Sequence, residues 1–131
     1  MQIILLRIAL LLCLTLAGCS RSVTVPSDLT FSGHNVQHWL TLAKSKQAKD
    51  RKHAIDVLSN VGPAHPDAIP YLIVALRDTD VSIRLAAVQG LSKIGPPANS
   101  ALSALEISLK DNDKRVSEQA KGAIKRIKGE Q

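Results

Sequence analysis

Few side chains in this chain are reactive, and fewer still stand at a spacing that chemistry can use. The chain has two cysteines, Cys13 and Cys19, and four histidines, His34, His38, His53 and His65. His34 and His38 are four residues apart and can share a helix face, presenting two imidazoles, but no acid or cysteine joins them at metal-site spacing. Asp78 and Asp80, like Asp111 and Asp113, form a D-x-D pair that matches half of a calcium loop. The third acid, the central glycine and the closing glutamate are missing. No glycine-rich phosphate loop or serine-elbow motif is present. We therefore expect no catalytic residue, no metal and no cofactor: the chain reads as a non-enzyme.

Cys19 stands apart from this list. Residues 1–18, MQIILLRIALLLCLTLAG, carry a single charge, Arg7. The apolar core from Ile8 to Leu16 has the length of a signal-peptide h-region and is short for a membrane span, which needs about 20 residues. Leu16-Ala17-Gly18-Cys19 resembles the lipobox of bacterial lipoproteins. The resemblance implies cleavage between Gly18 and Cys19 and a diacylglycerol on the Cys19 sulfur. Cleavage would also remove Cys13, so the mature chain has no partner for an intrachain disulfide. Ser20 replaces the aspartate that retains many such lipoproteins in the inner membrane. The implied location is the cell envelope, on the periplasmic side of the outer membrane where the cell has two.

Behind the signal, residues 19–33 read as a lipidated start and a tether of Ser, Thr, Pro and Gly, with Phe31 as a candidate to dock on the domain. Residues 34–131 then repeat at a period of 33. Trp39 aligns with Leu72 and Leu105, Ala54 with Ala87 and Ala120, Leu58 with Leu91 and Ile124, and Gly62 with Gly95. Repeats of about 34–65, 66–98 and 99–131 indicate a solenoid rather than one globular core. Each copy reads as two helices. In the middle copy Asp67 is placed as the cap of a first helix with Pro70 in its first turn and Ile69, Leu72, Ile73 and Leu76 on its apolar side. Asp80 caps the second, which buries Ala87, Leu91 and Ile94 and stops at Gly95-Pro96-Pro97. The third copy repeats the plan with Leu102, Leu105 and Leu109, then Ala120, Ile124 and Ile127. The predicted fold is all-α: a short α-solenoid of three helix pairs.

The segment PDAIPYLIVALRDTDVSIRLAAVQGLSKIG resembles a HEAT repeat of the short-helix type found in phycobilin-lyase-like proteins. The resemblance implies that Asp and Arg form a ladder between neighbouring repeats, drawn from Arg51, Asp78, Asp80, Arg84, Asp111 and Asp113. The first copy has Ser45 and Gln47 in place of the acids, and the third has Ser117 in place of the arginine. HEAT-repeat deoxyhypusine hydroxylases bind iron through His-Glu dipeptides, and this chain has none. Bilin-handling relatives are much longer and richer in aromatics; here only Phe31, Trp39 and Tyr71 are aromatic.

The chain is basic, with net charge +6, falling to +5 once Arg7 leaves with the signal. An exported chain with so few aromatics does not suit nucleic acid, so no nucleic-acid partner is expected. Position 121, aligned with Ile55 and Val88, is a lysine, as suits the water-facing side of a last helix. Trp39 is placed to close the first pair from within. Solenoids of this kind bind along their second helices, where the exposed row comprises Lys52, Asp56 and Asn60, then Leu85, Gln89 and Lys93, then Gly122 and Arg126. The resulting expectation is a monomeric, membrane-anchored scaffold for a protein partner. The alternatives are a metal- or pigment-binding enzyme subunit and a structural lipoprotein lying on anionic membrane surfaces.

Overall fold

The computed structural model describes residues 30, 31 and 34–130; the signal segment, Gly18, Cys19 and most of the tether lie outside the described residues. Three helix pairs follow one another. The first is α1 (Val36–Leu42) with α2 (Ala48–Val61), the second α3 (Ile69–Ala75) with α4 (Val81–Ile94), and the third α5 (Leu102–Ser108) with α6 (Lys114–Lys128). A two-residue antiparallel ladder, β1 (Thr30–Phe31) with β2 (His34–Asn35), precedes them and is a small exception to the all-α reading. It holds the Phe31 backbone beside the first repeat; the Phe31 side chain, for which docking was expected, is outside the described set.

Local chemistry explains the helix ends. Asp80 Oδ1 accepts from Ser82 N at 2.7 Å to start α4, and Asp113 Oδ1 accepts from Arg115 N at 2.9 Å to start α6. Such caps satisfy N–H groups that have no intrahelical partner. Helix α4 ends at Gly95, whose φ of +71° suits a residue without Cβ, and Pro96 follows it. Asp67 does not make the cap expected of it. The chain enters α3 through a 3-10 turn over Pro66–Ala68, and Ala68 at the cap position already has helical backbone angles (φ −71°, ψ −28°). A capping side chain must sit on extended backbone ahead of the first turn, and Asp67 lies inside that turn instead.

The repeat positions form the core. Leu58, Leu72, Leu91 and Leu105 have no exposed surface, nor do Val88, Ile83 and Val116. Each such side chain contributes roughly 1.5–3 kcal/mol by leaving water. Trp39 is 3% exposed and meets the His53 ring of its own second helix edge-on, with centroids 5.1 Å apart. Leu109 departs from its expected burial: it is 42% exposed, whereas its counterpart Leu76 is 4% exposed. Leu76 lies between two helix pairs, while among the described residues Leu109 has a pair on one side only.

The second helices α2, α4 and α6 stack directly on one another, more closely than the first helices do. Small residues permit this. A Cβ on Gly90 would overlap the Ser59 Oγ and approach its Cβ to 2.7 Å, so α4 passes α2 at a distance only glycine allows.

Candidate functional site

The close stack of second helices leaves a groove of about 700 Å³ running across all three repeats. Its floor is made of small side chains, among them Ser59, Ala86, Gly90 and Ala123. The Ser59 hydroxyl donates to the Ile55 carbonyl at 2.7 Å and is thus matched within its own helix. Along the walls stand two rows set by the repeat: Asp56, Gln89 and Gly122 in one, Asn60, Lys93 and Arg126 in the other. Six residues of the sequence-derived row therefore line one surface. Lys93 Nζ donates to Asn60 Oδ1 at 2.8 Å, joining the first repeat to the second across the groove.

Lys52 and Leu85 do not line it. Lys52 pairs with Asp56 at 2.7 Å one helical turn away, and Leu85 is half-buried against the core. Sequence reasoning missed Ser59, Gly90 and Gln119 as lining residues. For Gly90 there was a signal, a glycine in mid-helix where the other copies carry Val57 and Ala123. With Asp56 paired to Lys52, the charge left in the groove is positive, from Lys93 and the exposed Arg126.

Outside the groove, two ion pairs tie the repeats together. Arg51 Nε and Nη2 donate to the Asp78 carboxylate at 2.7 and 2.9 Å, and Arg84 donates to Asp111 with the same geometry. Each guanidinium also donates to two carbonyls of its own repeat: Ser45 and Lys46 for Arg51, Asp78 and Thr79 for Arg84. Paired forks of this kind are rigid and directional. Asp80 and Asp113 make no inter-repeat pair; they cap α4 and α6, and Asp113 also holds Arg115 at 2.9 Å. The positions equivalent to Asp78 in the first repeat and to Arg84 in the third, 45 and 117, carry serine.

These contacts lower the carboxylates' proton affinity. The Arg51 fork holds Asp78 below the usual carboxylate range, and the Arg84 fork does the same for Asp111. Asp80 is lowered by the Ser82 hydroxyl, and Asp113 is held at about 2 by its bond to Arg115.

His34 and His38 come together as stacked rings with centroids 4.2 Å apart, and both are exposed. Among the described residues no group of three or more His, Cys, Asp or Glu is placed to hold a metal ion, and no helix is long and apolar enough to cross a membrane. A second cleft of about 860 Å³ lies between the first two repeats on the side of α1 and α3. It is lined by Tyr71, Ile73 and Val74, with Lys44 Nζ 5.3 Å from the Tyr71 ring centre.

Three stacked helix pairs, tied by a repeated Arg–Asp bond and sharing one groove, are the geometry of a helical repeat array. A family comparison decides which: the sequence profile of HEAT repeats matches residues 36–125. The chain belongs to the HEAT-repeat family. A search of the curated proteins finds no match. HEAT repeats commonly mediate protein–protein contacts.

Proposed function

We propose that this HEAT-repeat protein is a non-enzymatic scaffold, held at a bacterial envelope membrane by a lipid on Cys19, that binds a protein partner along the groove of its second helices. The observation that carries the reading is the alignment of Asn60, Lys93 and Arg126 above a floor of small side chains. Equivalent positions of the three second helices line up there, an arrangement that would offer donors and acceptors to one elongated ligand. Small floor residues let a partner's backbone come close, and the amide and cationic walls supply hydrogen bonds without any group arranged for catalysis.

The Cys19 anchor is supported by the lipobox-like LAGC sequence, and in this reading the protein acts as a monomer. Its test is the mass of the membrane-extracted protein: the account expects a chain beginning at Cys19 with added acyl mass. A chain that retains residues 1–18, or carries no acyl group, refutes the anchor. The groove is tested by combining Asn60→Ala, Gln89→Ala, Lys93→Ala and Arg126→Ala. These side chains lie on the surface, where substitutions usually change stability by under about 0.5 kcal/mol each. The variant should keep its melting temperature within a few degrees and lose the partner recovered by crosslinking in intact cells. Full retention of that partner overturns the assignment.

A further inference from the structure

We propose that the outward face of α6 is a docking surface for an anionic lipid bilayer. Helix α6 carries six bases, Lys114, Arg115, Lys121, Lys125, Arg126 and Lys128, against one acid, Glu118. Arg115 is engaged by Asp113 and Arg126 belongs to the groove. The remaining four lysines recur at i, i+7, i+11 and i+14, which places them in one stripe along the helix. A 15-residue helix is about 22 Å long, so the stripe is a straight row that a flat surface can touch along its whole length.

The stripe occupies the side on which another helix pair would stack. Lys121 aligns with Ile55 and Val88, which are 1% and 0% exposed, and Lys125 aligns with Ser59, against which α4 packs. Facing water at this end requires polar groups but not groups of one sign. Glu118, the one acid within α6, lies 3.6 Å from Lys114 with both side chains well exposed, a pairing that neutralises little. Leu109, half-exposed at the same end of the array, adds an apolar group to the cations. Lysines with an apolar residue are what an interfacial surface uses, the cations meeting headgroups and the leucine entering the acyl boundary.

The choice of a bilayer over an acidic protein rests on the anchored reading above. Ten residues separate Cys19 from Thr30, where the chain is first held to the array by the β1–β2 ladder, and a flexible linker of that length spans roughly 18 Å. Two inter-repeat spacings of roughly 10 Å separate α2 from α6. The tether thus keeps both ends of the array within reach of the surface to which it is fastened, and a weak electrostatic contact becomes intramolecular. Each lysine close to an anionic surface strengthens binding roughly fivefold.

The test uses the full-length protein with vesicles of phosphatidylglycerol and phosphatidylcholine, and with vesicles of phosphatidylcholine alone. Lysine reactivity toward an amine-acylating reagent is read by mass spectrometry. Lys121, Lys125 and Lys128 should be protected severalfold on the anionic vesicles only, and exposed again in roughly half-molar salt. Lys46 and Lys49, in the first repeat, serve as internal references. Combining Lys121→Glu, Lys125→Glu and Lys128→Glu should abolish protection of Lys114 while the helical circular dichroism is unchanged. Equal reactivity on the two vesicle types overturns the proposal, and so does protection that appears only when polyglutamate is added, which would assign the stripe to an acidic protein. Failure of the native protein to float with neutral vesicles would instead refute the anchor, leaving the contrast between vesicles to decide the stripe.

Discussion

Removing Asp111 should destabilise the array far more than a typical surface substitution does. Its carboxylate accepts two bonds from Arg84, at 2.7 and 2.9 Å, and a third from Asp113 N at 2.8 Å. The Asp111 and Arg84 side chains are 10% and 14% exposed, so Asp111→Ala leaves a guanidinium largely shielded from water without its anion. Breaking a fully buried pair costs about 3–5 kcal/mol. Here Arg84 keeps its bonds to the Asp78 and Thr79 carbonyls and some water access, so the cost should be about 2–3 kcal/mol. For a domain near 100 residues that is a fall of roughly 10–20 °C in Tm. The assay is thermal and urea unfolding followed by circular dichroism, with Arg84→Ala and the double variant completing a cycle. The two single changes should be strongly non-additive, because either one breaks the same bond.

The dependence on pH follows from the same contact. The Arg84 bond lowers the carboxyl below its unfolded value. Its stabilisation is therefore complete above the ordinary carboxylate pKa of about 3.9 and is lost as pH falls through the lower folded value. The stabilities of wild type and Asp111→Ala should converge in strong acid. Additive single changes, or a cost under about 0.5 kcal/mol at neutral pH, would refute the reasoning that the repeats are held in register by this bond.

Other expectations concern the packing, each read by the same unfolding measurements. Gly90→Ala should cost about 1–3 kcal/mol because the new methyl meets Ser59, whereas Gly122→Ala, with nothing within 4 Å of the added carbon, should gain up to about 1 kcal/mol from helix propensity. Leu76→Ala should cost about 2–4 kcal/mol and Leu109→Ala under about 1 kcal/mol, although the two occupy the same repeat position. Helix α2 starts at Gln47 without a side-chain cap bond, so Gln47→Asp should raise stability by about 1 kcal/mol.

The period of 33 made the three helix pairs legible because burial at helical spacing is a property of each repeat taken alone. The groove rows were legible for the same reason: exposed positions of a helix follow from its buried ones, and the period sets them side by side. Legibility ended where a residue's surroundings depend on its neighbours in space. Leu109 has the pattern of a core residue, but burial requires a second helix pair beside it. Lys52 lies one turn before Asp56 on the exposed side, yet its ammonium is taken up by that carboxylate and the residue is not part of the groove lining. Asp67 has the chemistry of a cap, but a 3-10 turn begun at Pro66 carries it past the capping position. The lining role of Ser59 arises from its opposition to Gly90 across two helices, a pairing that neither residue announces by itself.

The central claim is that the groove, rather than the outer face of the array, receives the partner. Site-specific photocrosslinking in intact cells tests it most directly, with the photoreactive residue placed at Gln89 in the groove or at Ser103 on the exposed side of α5. One discrete crosslinked product is expected from position 89, none from position 103, and loss of the product when Lys93→Glu and Arg126→Glu are added. A product from position 103 alone, or one from 89 that survives both charge reversals, would contradict it.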